Sequence, residues 1–272
     1  MEKPKAQRAA GIGRLACRLQ ESRTRLDRLF QEGSAKIRIP AGGNGPLEAI
    51  LINTSGGMTG GDRLAWRVEA GAGAAAVVTS QACEKVYRTD AGEAHVDVGL
   101  SVAPGGRIAW LPQETILFDR AAFSRRLEAE VAPGAELLIL EAALFGRLAM
   151  GERALSGLFR DRWRIRQGGQ LVHAEEVRIG PSISAGLARS ASAGGATALA
   201  TALLISPQAE ALLEPARAII GDQGGASFWT VGESGKLLAR LHAEDGYHLR
   251  RRLAPLVRLL NGEAGLPRSW SL

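Results

Sequence analysis

The segment from 56 to 62 is the densest group of residues whose types could support a binding site. It reads Gly56-Gly57-Met58-Thr59-Gly60-Gly61-Asp62. A phosphate-binding P-loop ends in Gly-Lys-Ser or Gly-Lys-Thr, and a dinucleotide site has glycines spaced G-x-G-x-x-G. Neither spacing is present, and the Asp62 carboxylate would repel a phosphate. Two interpretations stay open: a loop that presents Asp62, or a turn in which Asp62 accepts hydrogen bonds from nearby backbone amides.

Acidic residues also recur near the ends of strand-like segments. These residues are Asp62, Glu84, Glu114, Glu141, Glu175 and Glu176. Paired carboxylates can act as general acids and bases. They can also line a polar channel, or form ion pairs with the many arginines of the chain. The sequence alone leaves these three roles open.

The histidines and cysteines do not have the spacing of a permanent metal site or a catalytic centre. No two of the histidines (His95, His173, His242 and His248) are four residues apart, and no C-x-x-C occurs. A structural zinc site is therefore not expected. No Ser/His/Asp or Cys/His arrangement has local support, so we predict no catalytic residues. The two cysteines, Cys17 and Cys83, cannot form a disulfide framework, which favours a cytoplasmic protein with reduced thiols.

Composition restricts the class of protein further. The chain has 272 residues, of which 46% are hydrophobic and 23% charged, as in ordinary globular proteins. No apolar run is long enough to span a membrane. The net charge of +6 indicates either an acidic partner or a GC-rich genome that encodes Arg in place of Lys. No basic run is interleaved with aromatic residues, which argues against nucleic acid. We predict a flexible basic tail over residues 1–13 and a single β-rich domain over 14–272.

Turn residues recur between apolar segments and predict a mainly β fold. Strand–turn–strand units centre on residues 68–71, 102–105, 131–134 and 165–168, and we interpret each as a hairpin. Between the first two turns, Val96, Val98, Leu100 and Val102 alternate with polar residues, as in a half-buried strand. Repeated units of this kind predict stacked β-strands in a helicoidal or solenoid-like arrangement.

The last third of the chain has a different pattern. Apolar residues at helical spacing predict a helix that starts after Ser206 and ends at Gly221, kinked or split at Pro215. A second helix is predicted over about 245–261. Between them, residues 228–231 and 236–241 predict a hairpin. The fold class is therefore mainly β with two α-helices near the C-terminus.

Several motifs together resemble the UreD family of urease accessory proteins, also called UreH. The family's glycine-rich motif resembles Asn53-Thr54-Ser55-Gly56-Gly57-Met58-Thr59-Gly60-Gly61-Asp62-Arg63, and two further motifs resemble Ala82-Cys83-Glu84-Lys85-Val86-Tyr87-Arg88 and Trp110-Leu111-Pro112-Gln113-Glu114-Thr115-Ile116. Similar matches occur at 29–38, at 145–147 with 151–152, and at 266–270, where Ser269 replaces a more usual apolar residue before Trp270. The matches follow the family's order over nearly the whole chain.

The resemblance implies a function that composition does not reveal. It implies a helicoidal β fold with two helices and a non-catalytic chaperone that binds the accessory protein UreF, which recruits the GTPase UreG. The assembly docks on apo-urease, and nickel passes through it as transient cargo, with no tightly bound cofactor. Asp62, Glu141 and Glu176 are our candidates for a polar nickel path, because weak oxygen ligands suit a relay better than a tight site does.

Two other functions are alternatives to this interpretation. A β-solenoid hydrolase or lyase acting on polysaccharide would need clustered acids in a groove lined by aromatic residues, and the aromatic content is 5%. A generic β-rich protein-interaction module would need no acidic path at all. Urease structural genes beside the gene for this chain would favour the chaperone over both.

Overall fold

The structure, a computed structural model, describes residues 8–41, 45–147, 150–231 and 234–270. The strands of the first half are β1 (Ala10–Gln20), β2 (Arg23–Gly33), β3 (Ala35–Arg38), β4 (Leu47–Asn53), β5 (Arg63–Ala70), β6 (Ala75–Ser80), β7 (Glu84–Val86), β8 (Ala94–Val102) and β9 (Arg107–Leu111). Those of the second half are β10 (Thr115–Leu117), β11 (Ala121–Val131), β12 (Glu136–Arg147), β13 (Glu152–Arg153), β14 (Gly157–Gln167), β15 (Gln170–Ile179), β16 (Ala198–Ser206), β17 (Gly224–Val231) and β18 (Ser234–Ala243). The helices are α1 (Ile183–Ala188), α2 (Leu213–Ile220) and α3 (Gly246–Asn261).

These strands form two sheets that pack on each other. The first sheet has the order β15-β14-β11-β8-β5-β1-β2. The second has the order β17-β18-β16-β12-β9-β6-β4-β3, with the short strands β7, β10 and β13 off this path. Residues from both sheets share one buried apolar cluster, which includes Leu127 of the first sheet and Ile139 of the second. The prediction of a mainly β fold of stacked strands is confirmed.

The first three predicted hairpins are instead corners at which the chain passes from one sheet to the other. β5, β8 and β11 are parallel neighbours in the first sheet, and β6, β9 and β12 are parallel neighbours in the second. Each corner contains a glycine with positive φ (Gly73, Gly105 and Gly134), a conformation that residues with a Cβ rarely adopt. The hairpin interpretation was wrong there, because the strand after each turn pairs with its equivalents in the neighbouring coils. Only the fourth unit, β14 and β15, pairs as an antiparallel hairpin among these described strands.

The helices α2 and α3 cover the outer face of the second sheet and create a second apolar layer, whereas Ile183 and Leu187 of α1 belong to the apolar cluster between the sheets. Leu249, Leu253 and Leu256 of α3 are fully buried in a cluster with β16 and β18. As a result β12 is buried on both faces, which explains its nearly unbroken apolar sequence. The second sheet therefore lies in the middle of a three-layer arrangement.

The two helices predicted near the C-terminus are both present. α3 matches its predicted range, and the Asp245 side chain caps it by accepting a hydrogen bond from the His248 amide. α2 ends before Gly221 as predicted but begins only at Leu213, so that Pro215 lies in its first turn, where no intrahelical donor is lost. The short helix α1 was not predicted. The hairpin of β17 and β18 confirms the predicted one.

The N-terminal boundary differs from the prediction. β1 begins at Ala10 and runs parallel to β5, so residues 10–13 belong to a strand rather than to a tail, because their backbone groups pair with those of β5. Residues 1–7 lie outside the described residues, and the single domain over 14–272 stays a prediction. Among the helices that the structure describes, none has the length and apolarity that crossing a membrane would require.

Candidate functional site

Three charged side chains lie buried between the two sheets and form what we call the inter-sheet charge cluster: Arg125, Glu141 and Asp161. Arg125 is on β11 and Asp161 lies directly opposite it on the neighbouring strand β14. Glu141 reaches them from β12 of the other sheet. Their exposed fractions are 5%, 4% and 6%. Charges this deeply buried are costly unless they are paired.

The contact between Arg125 and Asp161 is bidentate. Arg125 Nε donates to Asp161 Oδ1 at 3.0 Å, and Nη2 lies 2.5 Å from Oδ2. The Trp163 indole also donates to Asp161 Oδ1 at 3.0 Å. A planar guanidinium facing a carboxylate in this way is among the strongest protein ion pairs. The pair therefore fixes Arg125 firmly to the first sheet.

Glu141 is held with fewer contacts. Its Oε1 accepts a hydrogen bond of 2.8 Å from the Trp110 indole. Its Oε2 lies 2.5 Å from Arg125 Nη1, but receives no hydrogen bond of good geometry. The same Nη1 is 3.4 Å from the Thr115 hydroxyl. Glu141 is thus joined to the first sheet by a single ion-pair contact.

Burial governs the protonation of this cluster. Desolvation raises the pKa of Glu141 to about 7, with the nearby Arg125 charge lowering it and the Asp161 charge raising it. For Arg125, burial lowers the pKa, but the charges of Asp161 and Glu141 outweigh it and the net shift is upward. Arg125 therefore stays a cation, whereas burial favours the protonated form of Glu141.

Two cavities meet at this cluster, since Arg125 and Glu141 line both of them. The larger cavity has a volume of about 770 Å³ and lies toward β14, β15 and α1. The smaller cavity has a volume of about 270 Å³ and lies toward the glycine-rich loop. Asp161 lines the larger cavity and Thr115 the smaller one. The buried ion pairs therefore stand at the junction of two pockets that are partly open to solvent.

The larger cavity contains further acids, each paired with an arginine. Glu175, on β15, forms an ion pair with Arg240 of the second sheet. Nη2 of Arg240 lies 2.7 Å from both carboxylate oxygens. Glu176, a predicted path residue, is exposed and bonded to Arg160 at 2.9 Å. The structure thus brings Glu141 and Glu176 to one cavity.

Asp62 lies away from the inter-sheet charge cluster, and backbone amides bind its carboxylate. Its two carboxylate oxygens accept hydrogen bonds of 2.8 Å from the backbone amides of Ala9 and Thr59. Asp62 lines neither of the two cavities. This geometry corresponds to the interpretation of the loop as a turn closed by Asp62. Among the three predicted path residues, Asp62 is the one that the structure separates from the others.

The glycine-rich loop packs against the segment 85–88. The Met58 amide donates to the Lys85 carbonyl at 2.7 Å, and the Tyr87 hydroxyl donates to the Gly56 carbonyl at 3.0 Å. Gly57 has a φ of +140°, and a Cβ there would lie 2.5 Å from the Tyr87 ring. Gly57 therefore permits the close approach of the two segments. Gly56 and Gly57 line the smaller cavity.

The other predicted motif residues of these two segments have ordinary surface or turn roles. At Gly60, a Cβ would clash with the Thr89 side chain at 2.1 Å, and Gly61 has a φ of +93°. Arg63, Lys85 and Arg88 are exposed. None of these three is buried as a ligand would be in a closed site.

The motif at 110–116 connects the second sheet to the C-terminal end of the chain. Glu114 is buried and accepts two hydrogen bonds from Arg250 of α3, at 2.8 and 3.1 Å. The Gln113 side chain donates to the Ser269 carbonyl at 3.0 Å, and Pro112 lines the smaller cavity. The Ser269 hydroxyl, at the position that departs from the family pattern, lies 3.2 Å from the Thr79 hydroxyl.

A separate group of possible metal ligands lies at the start of α3. Among the described residues, Glu244, Asp245 and His248 are the group of three such residues whose ligand atoms lie within 4.8 Å of one another. His248 Nδ1 is 2.9 Å from Asp245 Oδ1, and the same oxygen caps the helix. These contacts account for the group as a helix cap with an additional hydrogen bond between the side chains of His248 and Asp245.

The sequence analysis did not identify Arg125 or Asp161. A signal was present, because alternate residues of β11 and β14 face the core. Arg125 lies between Phe123 and Leu127 on that face, and Asp161 lies between Phe159 and Trp163. A charged residue at an inward position of an apolar strand indicates a buried polar contact.

Comparison with known proteins identifies the family of this chain. The family model described as UreD urease accessory protein matches residues 9–271. A urease accessory protein UreD of Mesorhizobium japonicum is 65% identical over 99% of this chain and 96% of its own length. A urease accessory protein UreD 1 of Brucella abortus is 57% identical over 98% of this chain and 95% of its own length. The chain belongs to the UreD family of urease accessory proteins, and its role lies in urease maturation.

Proposed function

We propose that this chain is a cytoplasmic, non-catalytic chaperone through which nickel travels as transient cargo toward the active site of apo-urease. The observation that carries the proposal is the position of Glu141, a buried carboxylate that lines both of these cavities. A carboxylate oxygen is a weak and exchangeable ligand for a divalent ion, which suits transfer better than storage.

The electrostatics of the larger cavity support this role. Glu141, Asp161, Glu175 and Glu176 all line it. Their charges are partly balanced by arginines, so that no group of four free acids forms a tight site. A cation that enters this cavity meets carboxylate oxygens that are already paired with arginines. It therefore binds to them weakly and dissociates readily.

The proposed partners are UreF, the GTPase UreG and the subunits of apo-urease. The family resemblance supports these partners, and the net charge of +6 is compatible with docking to acidic protein surfaces. Nucleic acid and membranes are not among the proposed partners. GTP hydrolysis on UreG supplies the driving force in this proposal, and the chain itself catalyses no reaction.

Co-expression of apo-urease with the other accessory proteins, with and without this chain, tests the proposal. Urease activity and bound nickel are both measured. We expect both to fall sharply without the chain, while the purified chain has no activity of its own. Equal maturation without the chain would contradict the proposal.

The variant Glu141→Gln tests the path itself. We expect urease nickel content to fall by about tenfold, as for the loss of one charged contact of about 1.4 kcal/mol. The matched control is Glu128→Gln, which makes the same change on the outer face of β11. If both variants support maturation as well as the unchanged chain does, Glu141 has no part in nickel transfer.

A further inference from the structure

We infer that Arg125 is a built-in counter-cation: its guanidinium occupies the junction of the two cavities in place of a metal ion, and a divalent cation passes only when Arg125 releases Glu141. This inference rests on the proposed function and adds to it a residue that controls passage and limits how tightly the metal is held.

The guanidinium spans the junction from one cavity to the other. On one side its Nη1 faces Thr115, which lines the smaller cavity, at 3.4 Å. On the other side its Nε and Nη2 bind Asp161, which lines the larger cavity. A cation moving between the cavities therefore meets the positive charge of Arg125 directly. Coulomb repulsion between two cations rises steeply at such short distances.

The contacts also indicate which ion pair opens. Asp161 is bound bidentately by Arg125 and is its direct neighbour in the same sheet. Glu141 belongs to the opposite sheet and holds Arg125 through one contact only, with its other oxygen bonded to Trp110. Releasing Glu141 frees a carboxylate oxygen without breaking the pairing within the first sheet. Arg125 stays anchored to Asp161 while Glu141 binds the metal.

A charge count explains why arginine and metal compete. When Glu141 is deprotonated, Glu141 and Asp161 carry two negative charges, and Arg125 supplies one positive charge. Without Arg125 the junction would contain two buried, uncompensated acids, an arrangement that is costly until a cation binds. A divalent ion would neutralise both acids and be retained. Arg125 keeps the affinity low, as a relay requires.

The test measures binding of nickel(II) sulfate to the purified full-length chain by calorimetry and equilibrium dialysis. We expect Arg125→Gln to bind one nickel ion at least about tenfold more tightly than the unchanged chain, as loss of the competing charge predicts. The gain should disappear when Glu141→Gln and Asp161→Asn are added. The matched control is Arg126→Gln, the neighbouring exposed arginine on the same strand, which should bind like the unchanged chain.

Arg125→Lys keeps the inference testable if Arg125→Gln does not fold. Lysine retains the charge but cannot grip Asp161 bidentately, so we expect an intermediate gain of about threefold. Unchanged nickel affinity in the folded variants, or a gain that survives removal of both acids, would overturn the inference. Because this assay contains no urease, its failure is distinct from the failure of the proposed function, which the maturation assay alone decides.

Discussion

The turn closed by Asp62 and the inter-sheet charge cluster each bury a carboxylate, but they satisfy it in different ways. Asp62 accepts hydrogen bonds from two backbone amides, one within its own turn at Thr59 and one at Ala9, directly before β1. Glu141 is held by side chains from different strands, and one of its oxygens lacks a well-formed hydrogen bond. Backbone amides cannot move without unfolding the loop, whereas an arginine side chain can change partners. The difference indicates that Asp62 contributes to stability and that Glu141 is available for exchange.

The substitution Asp62→Ala tests the structural half of this comparison and has the largest expected effect. It leaves the amides of Ala9 and Thr59 without their acceptor, so we expect the free energy of unfolding to fall by about 2–5 kcal/mol. Urea denaturation measures the change. Asp62→Asn, which keeps one acceptor oxygen, should lose about half as much. Equal stability of the alanine variant and the unchanged chain would remove the distinction between the two regions.

The pH dependence of the free energy of unfolding tests the other half of this comparison, which concerns Glu141. Burial raises the pKa of Glu141 from 4.5 to about 7, so between these values the folded state binds more protons than the unfolded state. The stability contributed by this group therefore falls as pH rises from about 4.5 to 7. The Glu141→Gln variant does not have this loss. We therefore expect the free energy of unfolding of the variant, minus that of the unchanged chain, to rise by about 1–3 kcal/mol from pH 4.5 to pH 7.5.

Two variants sharpen the pH experiment. Glu84→Gln should show the same sign, because burial also raises the pKa of Glu84 to about 7. Thr115→Val removes no titratable group, and its stability difference from the unchanged chain should be the same at both pH values. A pH-independent difference for Glu141→Gln would show that Glu141 is ionised throughout this range, contrary to the prediction.

The variant Trp110→Phe examines the single hydrogen bond that positions Glu141. It removes the indole donor 2.8 Å from Glu141 Oε1, and we expect a loss of about 1–2 kcal/mol in the free energy of unfolding. Trp163→Phe removes the equivalent donor to Asp161 and serves as the comparison. If the nickel content of urease falls for Trp110→Phe but not for Trp163→Phe, Glu141 rather than Asp161 is the exchangeable ligand.

Glu176→Gln has the smallest expected effect on stability. Glu176 is exposed and pairs with Arg160, and such surface pairs contribute roughly 0–1 kcal/mol. Urea denaturation should therefore show a change of less than about 1 kcal/mol. A larger loss would mean that the acids of the larger cavity are held as firmly as Asp62, and the contrast between structural and exchangeable acids would disappear.

Much of the fold was accessible from the sequence because it depends on local patterns. The alternation from Val96 to Val102 predicts a strand, and the turns predicted at 102–105 and 131–134 contain the corner glycines Gly105 and Gly134. Asp245 predicts the start of α3. The nature of the corners was not accessible, because a tight turn between two strands looks the same whether the second strand pairs with the first or with an equivalent strand of the next coil.

Only part of the candidate site could be predicted from the sequence. Glu141 was selected for its position beside a strand-like segment, and the structure places it at the junction of two cavities. Asp62 was selected on similar grounds, yet it closes a turn. Arg125 and Asp161 were missed because each looks like one charge among many in its strand. Only the pairing of β11 with β14 shows that they face each other.

The sequence by itself determined the family, the stacked β-strands, the two C-terminal helices and the residue types available for binding. Motifs and periodicities of this kind are properties of neighbouring residues, so they can be read along the chain. The tertiary structure alone decided which acids share a cavity and which cation balances them. Arg125, Glu141 and Asp161 come from three strands of two sheets, and contacts between residues distant in sequence arise only when the sheets pack.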